Sequence, residues 1–119
     1  MTKSVGCIGL GVLGSVIAAN LLVDGFSVYG FDIRSDVLTK LKDLGIKTGS
    51  SPKNIADNTD VVLTCLPTIK SLHEVISGTQ GLNKSSRSNQ IILETSTFPV
   101  AEKEKARDAI ITVDKRMLD

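Results

Sequence analysis

Ser4-Val5-Gly6-Cys7-Ile8-Gly9-Leu10-Gly11-Val12-Leu13-Gly14 is the stretch whose reading decides the fold. Ser4 to Ile8 is short and apolar, as a buried strand should be. Val12 to Asp24 then has helical spacing, with Leu13, Val16, Ile17 and Leu21 along one face and Gly25 as a C-terminal stop. Glycines at 9, 11 and 14 join the two. Gly9 lets the backbone turn sharply, Gly11 leaves the main chain open to a pyrophosphate, and Gly14 lets the helix pack close to the strand. The N–H groups and dipole at the helix start attract negative charge.

Ser4 to Val23 holds no charged residue and follows Lys3, a pattern shared with signal peptides and membrane spans. The glycines speak against both, since each costs about 1 kcal/mol against alanine inside a continuous helix. A strand, a turn and a helix start account for all of them. No membrane association is expected.

Working outward, strands alternate with helices. Phe26 to Phe31 reads as a second strand. Ser35 is placed to cap a second helix, whose apolar positions are Val37, Leu38, Leu41 and Leu44. Ile46 to Thr48 is a short third strand. Ser51-Pro52 supplies a capping hydroxyl and a proline at the first position of a brief helix to Ala56. Val61 to Leu66 is a fourth strand, stopped by Pro67. Ile69, Leu72, Val75 and Ile76 mark another helix. Gly78 to Ser88 is a polar loop with room for one helical turn, and Ile91 to Glu94 a fifth strand. Pro99 to Val113 is a charged amphipathic helix, and Met117-Leu118 starts a sixth strand. This alternation predicts an α/β, Rossmann-type, doubly wound parallel sheet, in order 3-2-1-4-5 with a sixth strand at the edge.

The chain's 119 residues suit one domain, with no linker to a second. Aromatic residues are scarce at 3%, so the core must be aliphatic. Fourteen basic residues against thirteen acidic ones give +1, which offers no electrostatic footprint for nucleic acid. Cys7 and Cys65 lie in unrelated contexts and read as small buried residues in a reducing cytoplasm. No His, Cys and acid cluster has metal-ligand spacing.

Candidate ligand residues sit where the strands end. Asp32 follows the second strand, where a carboxylate accepts the adenosine ribose hydroxyls and favours NAD over NADP. Arg34 is the complication: it suits a 2′-phosphate, which Asp32 repels. Cys65-Leu66-Pro67 follows the fourth strand and Thr95-Ser96-Thr97 the fifth. The Ser96 and Thr97 hydroxyls serve equally well as ligand contacts or as a cap for the helix at Pro99.

Taken together, Val5 to Gly14, Ala19-Asn20-Leu21-Leu22, Ser51-Pro52, Asp60-Val61-Val62, Leu66-Pro67, Gly78, Gly81-Leu82 and Thr95-Ser96-Thr97 resemble the 3-hydroxyisobutyrate dehydrogenase family. These β-hydroxyacid dehydrogenases are related to 6-phosphogluconate dehydrogenase. The resemblance covers nearly the whole chain and implies an oxidoreductase. Members transfer a hydride between NAD or NADP and a 3-hydroxy acid or its semialdehyde. It implies that Gly9, Leu10, Gly11, Val12, Leu13 and Gly14 hold the pyrophosphate and Asp32 the ribose. Leu66, Pro67, Ser71 and Thr97 then touch the cofactor, and Ser96 helps hold the substrate.

Three departures qualify the resemblance. Glu94 stands where the family has aspartate, and Pro99 comes slightly early. Met117-Leu118-Asp119 resembles the strand leading into the family's substrate segment. On this reading residues 1–119 are the dinucleotide-binding domain, while the substrate segment, the catalytic lysine and the all-helical domain lie outside it. Lys70, Lys84, Lys103 and Lys105 read as solvated surface, and His73 as structural or exposed. No catalytic residue is expected in this chain, which alone is expected to bind the cofactor without turnover. Self-association through apolar surface near strands five and six is also expected. The alternatives are an NAD-sensing regulatory module and an inactive gene fragment. The residues do not choose among hydroxy-acid substrates.

Overall fold

The computed structural model describes residues 3–119. Its elements are β1 (Ser4–Ile8), α1 (Val12–Val23), β2 (Ser27–Phe31), α2 (Ser35–Asp43), β3 (Lys47–Thr48), α3 (Pro52–Asn58), β4 (Val61–Thr64), α4 (Ile69–Ser77), β5 (Gln90–Glu94), α5 (Val100–Ile111) and β6 (Lys115–Leu118). A 3-10 turn at Leu82–Lys84 interrupts the loop before β5. The strands form one six-stranded sheet in order β3-β2-β1-β4-β5-β6, with every pair parallel. The predicted topology stands, and β6 pairs with β5 at the edge.

Side chains alternate across the strands and so divide the core in two. Val5 and Cys7 of β1 and Val28 of β2 pack with Ala18, Leu41 and Ile46 beneath α1 and α2. Ile8, Val62, Ile92 and Met117 face the other way, onto α3, α4 and α5 through Ile55, Leu72, Ile76 and Ile110. On the α1 side, Leu63, Ile91 and Leu93 are only half-buried and Leu118 is exposed. No described helix is long and apolar enough to cross a membrane.

Three sequence expectations are corrected. The buried face of α1 carries Gly14 and Ala18, while Leu13 and Val16 are exposed. At Gly14 and Ala18 the helix lies so close to the sheet that only small residues fit beneath it, and further along Leu21 packs against the core as expected. Ser35 is the first residue of α2 rather than its cap, and makes no capping bond. Lys103 is not solvated surface: its side chain is 13% exposed and points at Glu94. By contrast Ser51 caps α3 as expected, accepting from the Asn54 N–H at 3.0 Å.

The α1 correction is testable by urea unfolding. Ala18→Leu should destabilise the chain by about 1–3 kcal/mol through overpacking, and Val16→Ser should change it by less than about 0.5 kcal/mol. The reverse ranking would return Val16 to the buried face.

Candidate functional site

The carboxyl ends of β1, β2 and β4 surround a cavity of about 480 Å³. Its floor is the glycine loop. Gly9 has a φ of +88°, and a Cβ there would lie 2.1 Å from the Cys65 carbonyl oxygen. A Cβ on Gly14 would lie 2.0 Å from the Gly9 carbonyl oxygen. Both positions therefore require glycine on steric grounds. Gly11 differs, because its missing side chain faces open space, the nearest atom being Arg34 Nη2 at 3.9 Å.

Gly11 takes the cap position of α1, with no side-chain cap and no acidic residue in the first turn. The leading N–H groups of a helix have no partner within it. Those of α1 therefore open on the cavity with their dipole uncompensated. The contrast with α4 is local: Thr68 and Ser71 cap that helix reciprocally, the Ser71 N–H donating to Thr68 Oγ1 at 3.0 Å.

Asp32 forms one wall. It is 7% exposed, and both carboxylate oxygens are fully engaged. Oδ2 accepts from the Leu10 N–H at 2.8 Å and from Arg34 Nη2 at 3.1 Å. Oδ1 accepts from the Arg34 N–H at 2.9 Å and from Arg34 Nε at 3.0 Å. Burial alone would raise its pKa, but the bonds from the Arg34 side chain and from the Leu10 and Arg34 amides outweigh this and hold it below the usual aspartate value. The carboxylate thus ties the glycine loop to β2, while Arg34 stays 55% exposed at the cavity mouth.

Leu66, Pro67, Ser71 and Val75 form the opposite wall. Of the residues expected at the site, Gly9, Gly11, Val12, Leu13, Gly14, Asp32, Leu66, Pro67 and Ser71 line the cavity. Leu10 is buried beneath the loop, where its amide serves Asp32. Ser71 is engaged with Thr68, its hydroxyl donating to the Thr68 carbonyl at 2.7 Å.

Ser96 and Thr97 do not line the cavity. Thr97 is exposed, and Ser96 is buried with its hydroxyl spent on Glu94 and Leu66. Neither caps α5, whose cap position is Pro99 with no side-chain bond.

Cys65, expected both as a small buried residue and in the candidate segment after the fourth strand, is half-buried on the cavity wall. The sequence reading missed three features. Ile33 and Val75 also line the cavity, the first after β2 and the second one turn beyond Ser71. Arg34 is the counterion of Asp32 rather than its rival. The third is Glu94, fully buried, whose Oε2 lies 3.1 Å from Lys103 Nζ without an aligned hydrogen bond. Burial alone would lower the Lys103 pKa, but Asp119 and Glu94 outweigh it and raise it. His73 is half-buried, 2.6 Å from Glu102, and pins α4 to α5. Among the described residues no group of three or more His, Cys, Asp or Glu could hold a metal ion.

Residues 4–119 match the family described as the NAD binding domain of 6-phosphogluconate dehydrogenase. The mitochondrial 3-hydroxyisobutyrate dehydrogenase of Rattus norvegicus is 34% identical over 105 residues, 87% of this chain and 31% of that protein. The Mycobacterium tuberculosis 3-hydroxyisobutyrate dehydrogenase solved with L-serine superposes with a TM-score of 0.89 at 24% identity, over 98% of this chain and 39% of that one. Psf3 in complex with NADP+ and 2-OPP gives a TM-score of 0.89 at 19% identity, over 97% of this chain and 41% of its own. These two likenesses show the fold. The chain spans about a third of the rat relative's length.

Asp32→Asn removes the charged clamp while keeping its shape. A lowered folded pKa adds stability above the unfolded value that is lost as pH falls through the folded one. The wild type should exceed Asp32→Asn by about 1–3 kcal/mol at neutral pH. That gap should shrink as pH drops below about 3.9. Urea unfolding at stepped pH measures it, and a gap independent of pH would contradict the clamp.

Proposed function

The chain belongs to the family of NAD-binding domains of 6-phosphogluconate dehydrogenase, and from that premise we propose that it cradles the nicotinamide dinucleotide of an oxidoreductase acting on a 3-hydroxy acid or the matching semialdehyde. One observation carries this reading. The uncapped start of α1 opens on a cavity of about 480 Å³ between the Asp32–Arg34 wall and the Leu66–Pro67 wall. The rat relative's name supplies the substrate class.

The chain's own residues bind and orient. The free first-turn amides of α1 receive the pyrophosphate oxygens, and the bare face of Gly11 allows their approach. Asp32 serves the adenosine ribose once Arg34 swings aside. Two side-chain bonds from Arg34 then give way to two from ribose hydroxyls, while the Leu10 and Arg34 amides keep the carboxylate in place. A 2′-phosphate would instead meet the Asp32 charge, softened by Arg34, so NAD is preferred over NADP. The nicotinamide, when bound, supplies the hydride chemistry. Among the side chains lining the cavity the ionisable ones are Asp32, Arg34 and Cys65, and Asp32 is fully bonded. These suit binding and orientation of the dinucleotide rather than proton transfer to a substrate.

Calorimetry with NADH and NADPH in parallel tests the reading. NADH should bind more tightly, and Arg34→Ala should widen that preference by freeing Asp32 and removing a phosphate partner. Binding of neither dinucleotide would overturn the proposal, and an Arg34→Ala variant that prefers NADPH would overturn the role given to Asp32.

The cysteines give a positional check. Burial pushes the Cys7 thiol up to about 11, so it should resist alkylation at neutral pH. Cys65 on the cavity wall should be labelled by iodoacetamide, and saturating NADH should slow that labelling. Equal rates with and without NADH would place the ligand elsewhere.

A further inference from the structure

A chain of polar contacts, an ion pair at α5 followed by hydrogen bonds, runs from Lys103 to the cavity wall without entering the cavity. The Leu66 N–H donates to Ser96 Oγ at 2.7 Å. The Ser96 hydroxyl in turn donates to Glu94 Oε1 at 2.5 Å. The same oxygen accepts from the Ser96 N–H at 3.1 Å and from the Thr64 hydroxyl at 3.2 Å. On its other side Glu94 faces Lys103 of α5. Glu94 has no exposed surface and does not line the cavity.

The direction of this chain follows from proton counting. A serine hydroxyl has one proton, and a carboxylate only accepts. The Glu94 carboxylate therefore accepts the hydrogen bond of the Ser96 hydroxyl, which leaves Ser96 Oγ as an acceptor for the Leu66 amide. The Lys103 ammonium offsets the cost of holding that charge out of water. Leu66 lies in the Cys65–Pro67 segment that walls the cavity, so the chain fixes the backbone of that segment. Thr95 reinforces the join, its N–H and hydroxyl both donating to the Thr64 carbonyl, at 2.9 and 2.8 Å.

We propose that Glu94 is a positioning residue for the dinucleotide, acting through Ser96 to set the Leu66–Pro67 wall against the bound ligand. This rests on the dinucleotide-binding reading above. It gives Ser96 a structural task in place of substrate contact.

Glu94→Gln tests the role at constant shape. The Lys103 ammonium, 3.1 Å from the Glu94 carboxylate, repels an amide NH2 placed beside it, so the new amide should turn its oxygen to Lys103 and its NH2 to Ser96. The Ser96 N–H and Thr64 hydroxyl then lose their acceptor, and Ser96 Oγ receives a second donor in competition with Leu66. Two readouts apply to the full chain: NADH affinity by calorimetry, and the Leu66 amide by ¹⁵N NMR. Affinity should fall about tenfold, as loss of a charge-assisted contact implies. The Leu66 amide should shift and exchange faster with solvent, while the melting curve stays cooperative. Ser96→Ala removes the middle oxygen and should reproduce both changes, and it serves alone should Glu94→Gln not fold. The double variant should be no worse than the weaker binder of the two single variants.

An unchanged Leu66 amide would overturn the proposal, and so would wild-type NADH affinity in Glu94→Gln and Ser96→Ala. Failure of the unsubstituted chain to bind NADH would overturn the dinucleotide reading, and this role with it.

Discussion

The approach of Gly14 to the carbonyl of Gly9 is the contact on which the rest of the structure depends. No side chain fits between them, so α1 starts close against the end of β1. That closeness explains why Ala18 rather than Val16 or Leu13 is buried beneath the helix. It also leaves the first-turn amides of α1 facing the space between β1, β2 and β4. A bulkier junction would lift the helix and turn those amides away from the cavity.

Two buried carboxylates then lock what the glycines arrange. Asp32 holds the glycine loop against β2 through the Leu10 amide, with Arg34 as counterion. Glu94 holds the far wall through Ser96, with Lys103 as counterion. Each acid lies at the carboxyl end of a strand; Asp32 accepts the Leu10 N–H directly, while Glu94 reaches the Leu66 N–H through the Ser96 hydroxyl. The cavity is thus framed by a charge-assisted bond to main chain on one side and by a charge-assisted relay to main chain on the other. The difference is access. Arg34 is largely exposed and can leave Asp32 to a ligand, whereas Glu94 is sealed and acts at one remove.

Much of the fold was legible because it rests on local signals. Glycines at 9, 11 and 14, the stop at Gly25, and the Ser51-Pro52 start each act within a few residues. Parallel strands buried on both faces also read as apolar runs. The less legible parts depend on distance between segments. Helical periodicity assigned Leu13 and Val16 to the buried face, because it carries no information about how close the helix comes to the sheet. Lys103 looked like an ordinary surface lysine, since Glu94 is its neighbour only after β5 and α5 fold together. Thr68 and Ser71 form a capping pair whose hydroxyls gave no sign of which partner they would choose.

The sequence by itself determined the α/β alternation, the strand order and the glycine cradle, because short-range sterics and hydrophobic runs dictate them. It also marked Asp32, Leu66 and Pro67 through the rule that ligands meet a parallel sheet at the carboxyl ends of its strands. Tertiary structure alone decided which polar groups are free to meet a ligand. A hydroxyl or carboxylate has the same sequence signature whether it faces a cavity or is spent on the protein. Ser96 is spent on Glu94 and Leu66, and Asp32 on Leu10 and Arg34, whereas the first amides of α1 are left open.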